Sequence, residues 1–131
     1  MERSSYAGLA IFAVLMATAS PACAASPPLI KGQYFAKARM NLLHAGWRPV
    51  VSHLKFADGT YQRLAGDAGT MTDASWKEVE YCSGTGLNFC FFNYSRNGHC
   101  LRVETQGEYS PQDSSPQVLS WTSECPKPQN D

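Results

Sequence analysis

The chain opens on an apolar run. Residues 7–18 (AGLAIFAVLMAT) carry no charged side chain and follow Arg3. A positive start and about a dozen apolar residues are the layout of a secretory signal. Further on, Phe35, Ala38, Leu42 and Ala45 recur at helical spacing, with Leu43 beside them and Lys37, Arg39 and Asn41 turned away. That stripe predicts an amphipathic helix from about Tyr34 to Ala45. Gly46 stands where a left-handed cap is wanted, and Pro49 prevents the helix from resuming. The period then changes to two. Val50, Ser52, Leu54 and Phe56 alternate with Val51, His53 and Lys55, which predicts a first strand. Asp58-Gly59 starts a turn, and residues 60–73, with Gly66 and Gly69, read as a surface loop carrying a short helical turn. Trp76 to Cys82 reads as a second strand, with Val79 and Tyr81 on one face.

Asn97-Gly98 is a strong hairpin signal between Phe89–Ser95 and His99–Thr105. Centring the turn there pairs Arg96 with His99, Tyr94 with Leu101, Phe92 with Val103 and Cys90 with Thr105. Cys90, Phe92, Tyr94, Leu101 and Val103 then share an inner face. Residues 106–116 (QGEYSPQDSSP) are polar and turn-forming, and Gln117 to Thr122 is a last short strand with Val118 and Trp121 as its apolar residues. A helix of three turns is not stable alone and must pack on something. The expected fold is α+β: one N-terminal helix packed on a four- to five-stranded antiparallel sheet, tied by disulfides.

The expected layout is a signal peptide over 1–24, an extended lead over 25–33, a single domain over 34–125 and a frayed tail over 126–131. Ala22-Cys23-Ala24 fits the cleavage pattern, which places the cut after Ala24, with Ala25 as the next choice. The apolar run is too short for a membrane-spanning helix, which needs about 20 residues. Cys23 raises a rival, lipidation of a cysteine at the cut, but Ser20-Pro21 ahead of it is a poor lipidation context. The exported chain is expected to be periplasmic or secreted, with no stable membrane insertion after cleavage.

Length and charge narrow the classes. The 131 residues are 44% hydrophobic, which allows one folded domain and argues against disorder. Eleven basic residues against eleven acidic ones remove the electrostatic case for a nucleic-acid binder. Export also changes how the cysteines read. Cys82, Cys90, Cys100 and Cys125 form an even set in an oxidising place and are expected to be disulfides. The hairpin register sends Cys90 and Cys100 to opposite faces, which favours Cys82–Cys90 and Cys100–Cys125.

Catalytic chemistry finds little support. There is no C-x-x-C, G-x-S-x-G or Ser–Lys pattern. His44, His53 and His99 lack metal-site spacing and read as partly exposed surface residues, so no metal or cofactor is expected. Glu78 and Glu80 share a strand face, as do Arg102 and Glu104, which reads as the solvated side of a sheet. Ser83-Gly84-Thr85-Gly86 lacks the lysine and following helix of a phosphate loop, and reads as a turn closed by a disulfide. Trp47, Trp76, Phe89 and Phe91 are the candidate binding residues. Phe89 and Phe91 project from the outer face of the hairpin, with Trp76 near them, where they are either covered by the rest of the fold or form a binding surface.

The segments ARMNLLHAGWRPV, EVEYCSGTGLNFCFFNY and GHCLRVETQGE resemble an uncharacterised family of small secreted proteins from Gram-negative bacteria. The GW-P junction and the C-S-G-T-G-x-x-x-C core are the most specific parts, and the likeness spans most of the mature chain. It implies export and a small α+β fold, and brings no ligand or activity. The expected function is non-enzymatic binding of a protein or cell-envelope partner, as an inhibitor or immunity protein does. The alternatives are a small-ligand or cell-wall glycan binder using aromatic residues, and a small hydrolase.

Overall fold

A computed structural model describes residues 26–127, together with residue 8 and residues 10–17. The expected cut after Ala24, Cys23 and residues 128–131 lie outside the described residues. The elements are α1 (Phe35–His44), β1 (Arg48–Pro49), α2 (Gly66–Asp73), β2 (Val79–Cys82), β3 (Cys90–Arg96), β4 (His99–Gln106) and β5 (Gln117–Thr122). The fold is α+β, with two helices and a five-stranded antiparallel sheet. The sheet runs β1-β3-β4-β5, and β2 shares one edge of β3 with β1.

The β3–β4 hairpin has the register that the Asn97-Gly98 turn demands, from Arg96↔His99 to Cys90↔Thr105. Its five expected inward residues are all buried. A bulge at Leu119 shifts β5 by one residue, so that Val118 lies opposite Thr105 and Trp121 opposite Val103. Two apolar residues three apart can thereby serve one face. Phe35, Ala38 and Leu42 of α1 are fully buried, and the Phe35 ring lies 4.0 Å from the Phe92 ring.

Both helices end in the same way. Gly46 (φ 89°) follows α1, and Trp47 N–H donates to Leu42 O at 3.0 Å. Ser75 (φ 70°) follows α2, and Trp76 N–H donates to Met71 O at 2.9 Å. These are Schellman caps, and each places a tryptophan at the position that packs back on the last turn.

Four expectations are corrected. A single N-terminal helix is replaced by two helices, the first starting at Phe35 behind a lead that turns at Ile30–Gln33 and buries Leu29. Residues 60–73 hold α2, whose Ala68 and Met71 are buried, so the segment is part of the core. The expected strand over 50–56 is not formed: the short β1 lies before it at Arg48–Pro49, and within 50–56 only Lys55 makes a bridge, to Tyr61, because Ser52 and His53 are both drawn inward. Val79 and Tyr81 do not share a face. A bulge at Glu80 sets Val79 opposite Phe92, inward, and Tyr81 opposite Phe91, outward.

Two disulfides close the fold, Cys82–Cys90 and Cys100–Cys125. They are the pairs that strand geometry favours. No described helix is long and apolar enough to cross a membrane.

Candidate binding groove

The groove begins where α1 starts. Tyr34 and Phe35 are adjacent aromatics, and only one can enter the core. Phe35 does, and Tyr34 is left 63% exposed. The chain beneath Tyr34 is fixed by three backbone bonds to β5 and the residue before it: Gly32 N–H to Val118 O, Val118 N–H to Gln33 O, and Phe35 N–H to Pro116 O. Ala36 N–H donates to Ser115 Oγ at 2.9 Å.

Two depressions meet at Tyr34. The larger, about 710 Å³, runs past Lys37, Trp76 and Tyr109 to Gln112 and Asp113. The smaller, about 370 Å³, is walled by Leu87, Gln106 and Gln117. They share Tyr34, Glu108 and Ser115 and so adjoin each other along one groove-like face.

Its walls are held by identifiable contacts. Trp76 packs edge-on against Phe35 (5.6 Å) and Phe92 (6.4 Å). The Arg39 guanidinium lies over its ring at 5.3 Å, and Tyr109 leans on it at 4.9 Å. Arg39 is held in turn by Glu78, which also accepts the Tyr94 hydroxyl at 2.7 Å. Asp67 fixes the opposite wall. Its Oδ2 accepts from Tyr109 N–H at 3.0 Å and from Asn88 Nδ2 at 2.8 Å, and Asn88 Nδ2 also donates to Gly107 O at 3.1 Å. One carboxylate thus ties α2 to the loops on both sides of the smaller depression.

The residues singled out from sequence do not converge. Trp76 lies in the groove, on the inner side of the sheet and away from Phe91, because β2 starts three residues after it. Trp47 is only 4% exposed. It borders a separate depression of about 530 Å³ with His99, Trp121 and the Cys100–Cys125 bridge. Phe89 is half-buried. Phe91 is half-buried on the outer face, stacked on Tyr81 at 4.9 Å, with the Arg102 guanidinium over it at 4.1 Å. Burial works to lower the Arg102 pKa, but its bond to Glu80 at 3.1 Å outweighs this and raises it.

Sequence reasoning missed Tyr34 and Tyr109. The signals were an adjacent aromatic pair at a helix start and a lone aromatic in a polar loop. It also misplaced Glu78, which is fully buried, not solvated. His53 is buried too, its ring Nε2 donating to Val79 O, while His44 and His99 are exposed.

Among the described residues no group of three or more His, Cys, Asp or Glu is placed to hold a metal ion. Glu108 and Asp113 are two carboxylates in one groove, but both are exposed. A general-acid carboxylate wants apolar surroundings that raise its pKa. What the arrangement offers is contact: aromatic surface, hydroxyls, amides and carboxylates on a fixed frame. The chain is thus of a defined class, a two-disulfide α+β domain with an aromatic-walled groove. Compared with protein-family models, curated proteins and solved structures, it matches none.

Proposed function

We propose that this chain is a small exported, non-enzymatic protein that binds an envelope or extracellular macromolecule through the Tyr34 groove. The observation that carries the reading is Tyr34 itself, a large ring exposed at the junction of two depressions whose walls are locked by Asp67, Arg39 and Phe35. A pre-set contact surface lowers the entropic cost of association. Export is supported by two disulfides, which persist in oxidising compartments. It is also supported by Ile11, Phe12, Val14, Leu15 and Met16, which are 78–93% exposed and add nothing to the core, as befits a segment that is removed. Kinship to small secreted proteins through the GW-P and C-S-G-T-G-x-x-x-C motifs belongs to the same proposal.

The test is site-specific photocrosslinking. A benzoylphenylalanine replaces Tyr34 in one variant and Tyr61, exposed but not among the groove's lining residues, in another. Irradiation with envelope fractions and culture medium is expected to give an adduct at position 34 and none at 61. Equal labelling at both, or none at either, would refute the groove as a binding surface. Release of cleaved product from the captured partner would overturn the non-enzymatic part.

A further inference from the structure

Resting on that reading, we infer that the groove takes an uncharged polyhydroxylated chain, an oligosaccharide lying across Tyr34. The shape supports this first. Two joined depressions of about 710 and 370 Å³ each fall in the range of ligand sites, roughly 300–1,000 Å³. Joined at one exposed ring, they suit a ligand of several units. The chemistry supports it next. A sugar ring has an apolar C–H face and an equatorial belt of hydroxyls. The Tyr34 ring offers a platform for the first, being apolar over its face with a polar tip. Ser110, Gln112, Asp113 and Ser114 offer donors and acceptors for the second.

Other ligand classes fit less well. An extended peptide would add as a strand to a free sheet edge. At this groove the edge at Val118 is already occupied by Gly32 and Gln33. An anionic polymer needs a surplus of cations, whereas the lining holds Lys37 against two carboxylates, Glu108 and Asp113. The first amides of α1 are likewise committed, to Pro116 O and Ser115 Oγ. A lipid chain needs continuous apolar wall, whereas the larger depression is also lined by Lys37, Glu108, Gln112 and Asp113.

The probes are chitotetraose and cellotetraose, with tetra-alanine and inorganic polyphosphate as comparisons, followed by amide chemical-shift titration of the disulfide-bonded protein. Saturable shifts are expected at Tyr34, Tyr109 and Gln112 with at least one saccharide, and none with tetra-alanine or polyphosphate. Tyr34→Ala should weaken saccharide binding about tenfold, the effect of removing an anchor ring, with an unchanged Tm. Tyr34→Phe should stay within about twofold, since the ring face is kept. Tyr81→Ala, on the outer face, should change nothing. Absence of shifts with both saccharides overturns the inference, as does an affinity indifferent to Tyr34→Ala. If the position-34 crosslinker captures a protein while neither saccharide binds, the sugar inference falls and the broader binding reading stands. If neither occurs, both fall.

Discussion

Glu78 is a carboxylate with no exposed surface, and its two partners, Arg39 and Tyr94, come from a helix and a strand far apart in sequence. Removing one member of a buried ion pair leaves the other charge uncompensated, at about 3–5 kcal/mol. Glu78→Ala is therefore expected to lose stability of that order, read from the denaturant midpoint. It should also loosen Trp76, which Arg39 covers. Tyr94 makes a pH prediction. Burial, then the negative charge of Glu78, push its phenol well above the usual tyrosine range. In the unfolded chain this phenol ionises near pH 10. The unfolded state thus releases the proton first, and stability should fall as pH rises above 10 towards the folded-state value. Spectrophotometric titration should find one tyrosine that ionises only as the protein unfolds. None of this was legible in the two-residue spacing of Glu78 and Glu80. The pattern assumed a strand through both, whereas β2 begins at Val79.

The helices and strands were legible where local chemistry is strong. Gly46, at the end of a clear apolar stripe, marked the close of α1, and Asn97-Gly98 fixed the hairpin register. Helix α2 was obscured by its glycines and threonines, which are poor helix formers. Tertiary contacts hold it, through buried Met71 and the bonds of Asp67. Gly69 has a specific reason to be there. A Cβ at this position would lie 2.4 Å from Leu64 O, a backbone atom. Gly69→Ala should force that segment apart and destabilise by about 1–3 kcal/mol, as overpacking does. The cap of α2 predicts the opposite sign. Ser75 holds a left-handed conformation that costs an L-residue about 1–2 kcal/mol. Ser75→Gly relieves it at some cost in unfolded-state entropy, leaving an expected gain of about 0.5–1 kcal/mol in thermal or chemical melts. The bulges at Glu80 and Leu119 explain why strict alternation misled for Tyr81, and why Trp121 faces inward beside Val118.

For the molecule as a whole, the cysteines and the hairpin signal together made the α+β class and the bridge pairing legible. The groove was not, because it joins Tyr34, Leu87 and Tyr109 from three loops that only the tertiary fold brings together. The bridges span 8 and 25 positions. Chain-entropy arithmetic gives about 2.6 kcal/mol for the first and about 3.5 kcal/mol for the second. Cys100→Ala/Cys125→Ala is thus expected to lower the denaturant midpoint more than Cys82→Ala/Cys90→Ala, with the m-value checked for a less compact unfolded state.

The lead segment has a consequence for life in a crowded compartment. Strand β5 is the outer strand of the sheet on its side, and Gly32, Gln33 and Phe35 seal its lower half with backbone bonds. A bare outer strand is a template on which further molecules can pair and polymerise. By this logic residues 26–33 act as a guard rail. A chain shortened to begin at Tyr34 should form higher-order species in light scattering at concentrations where a chain beginning at Ser26 stays dispersed.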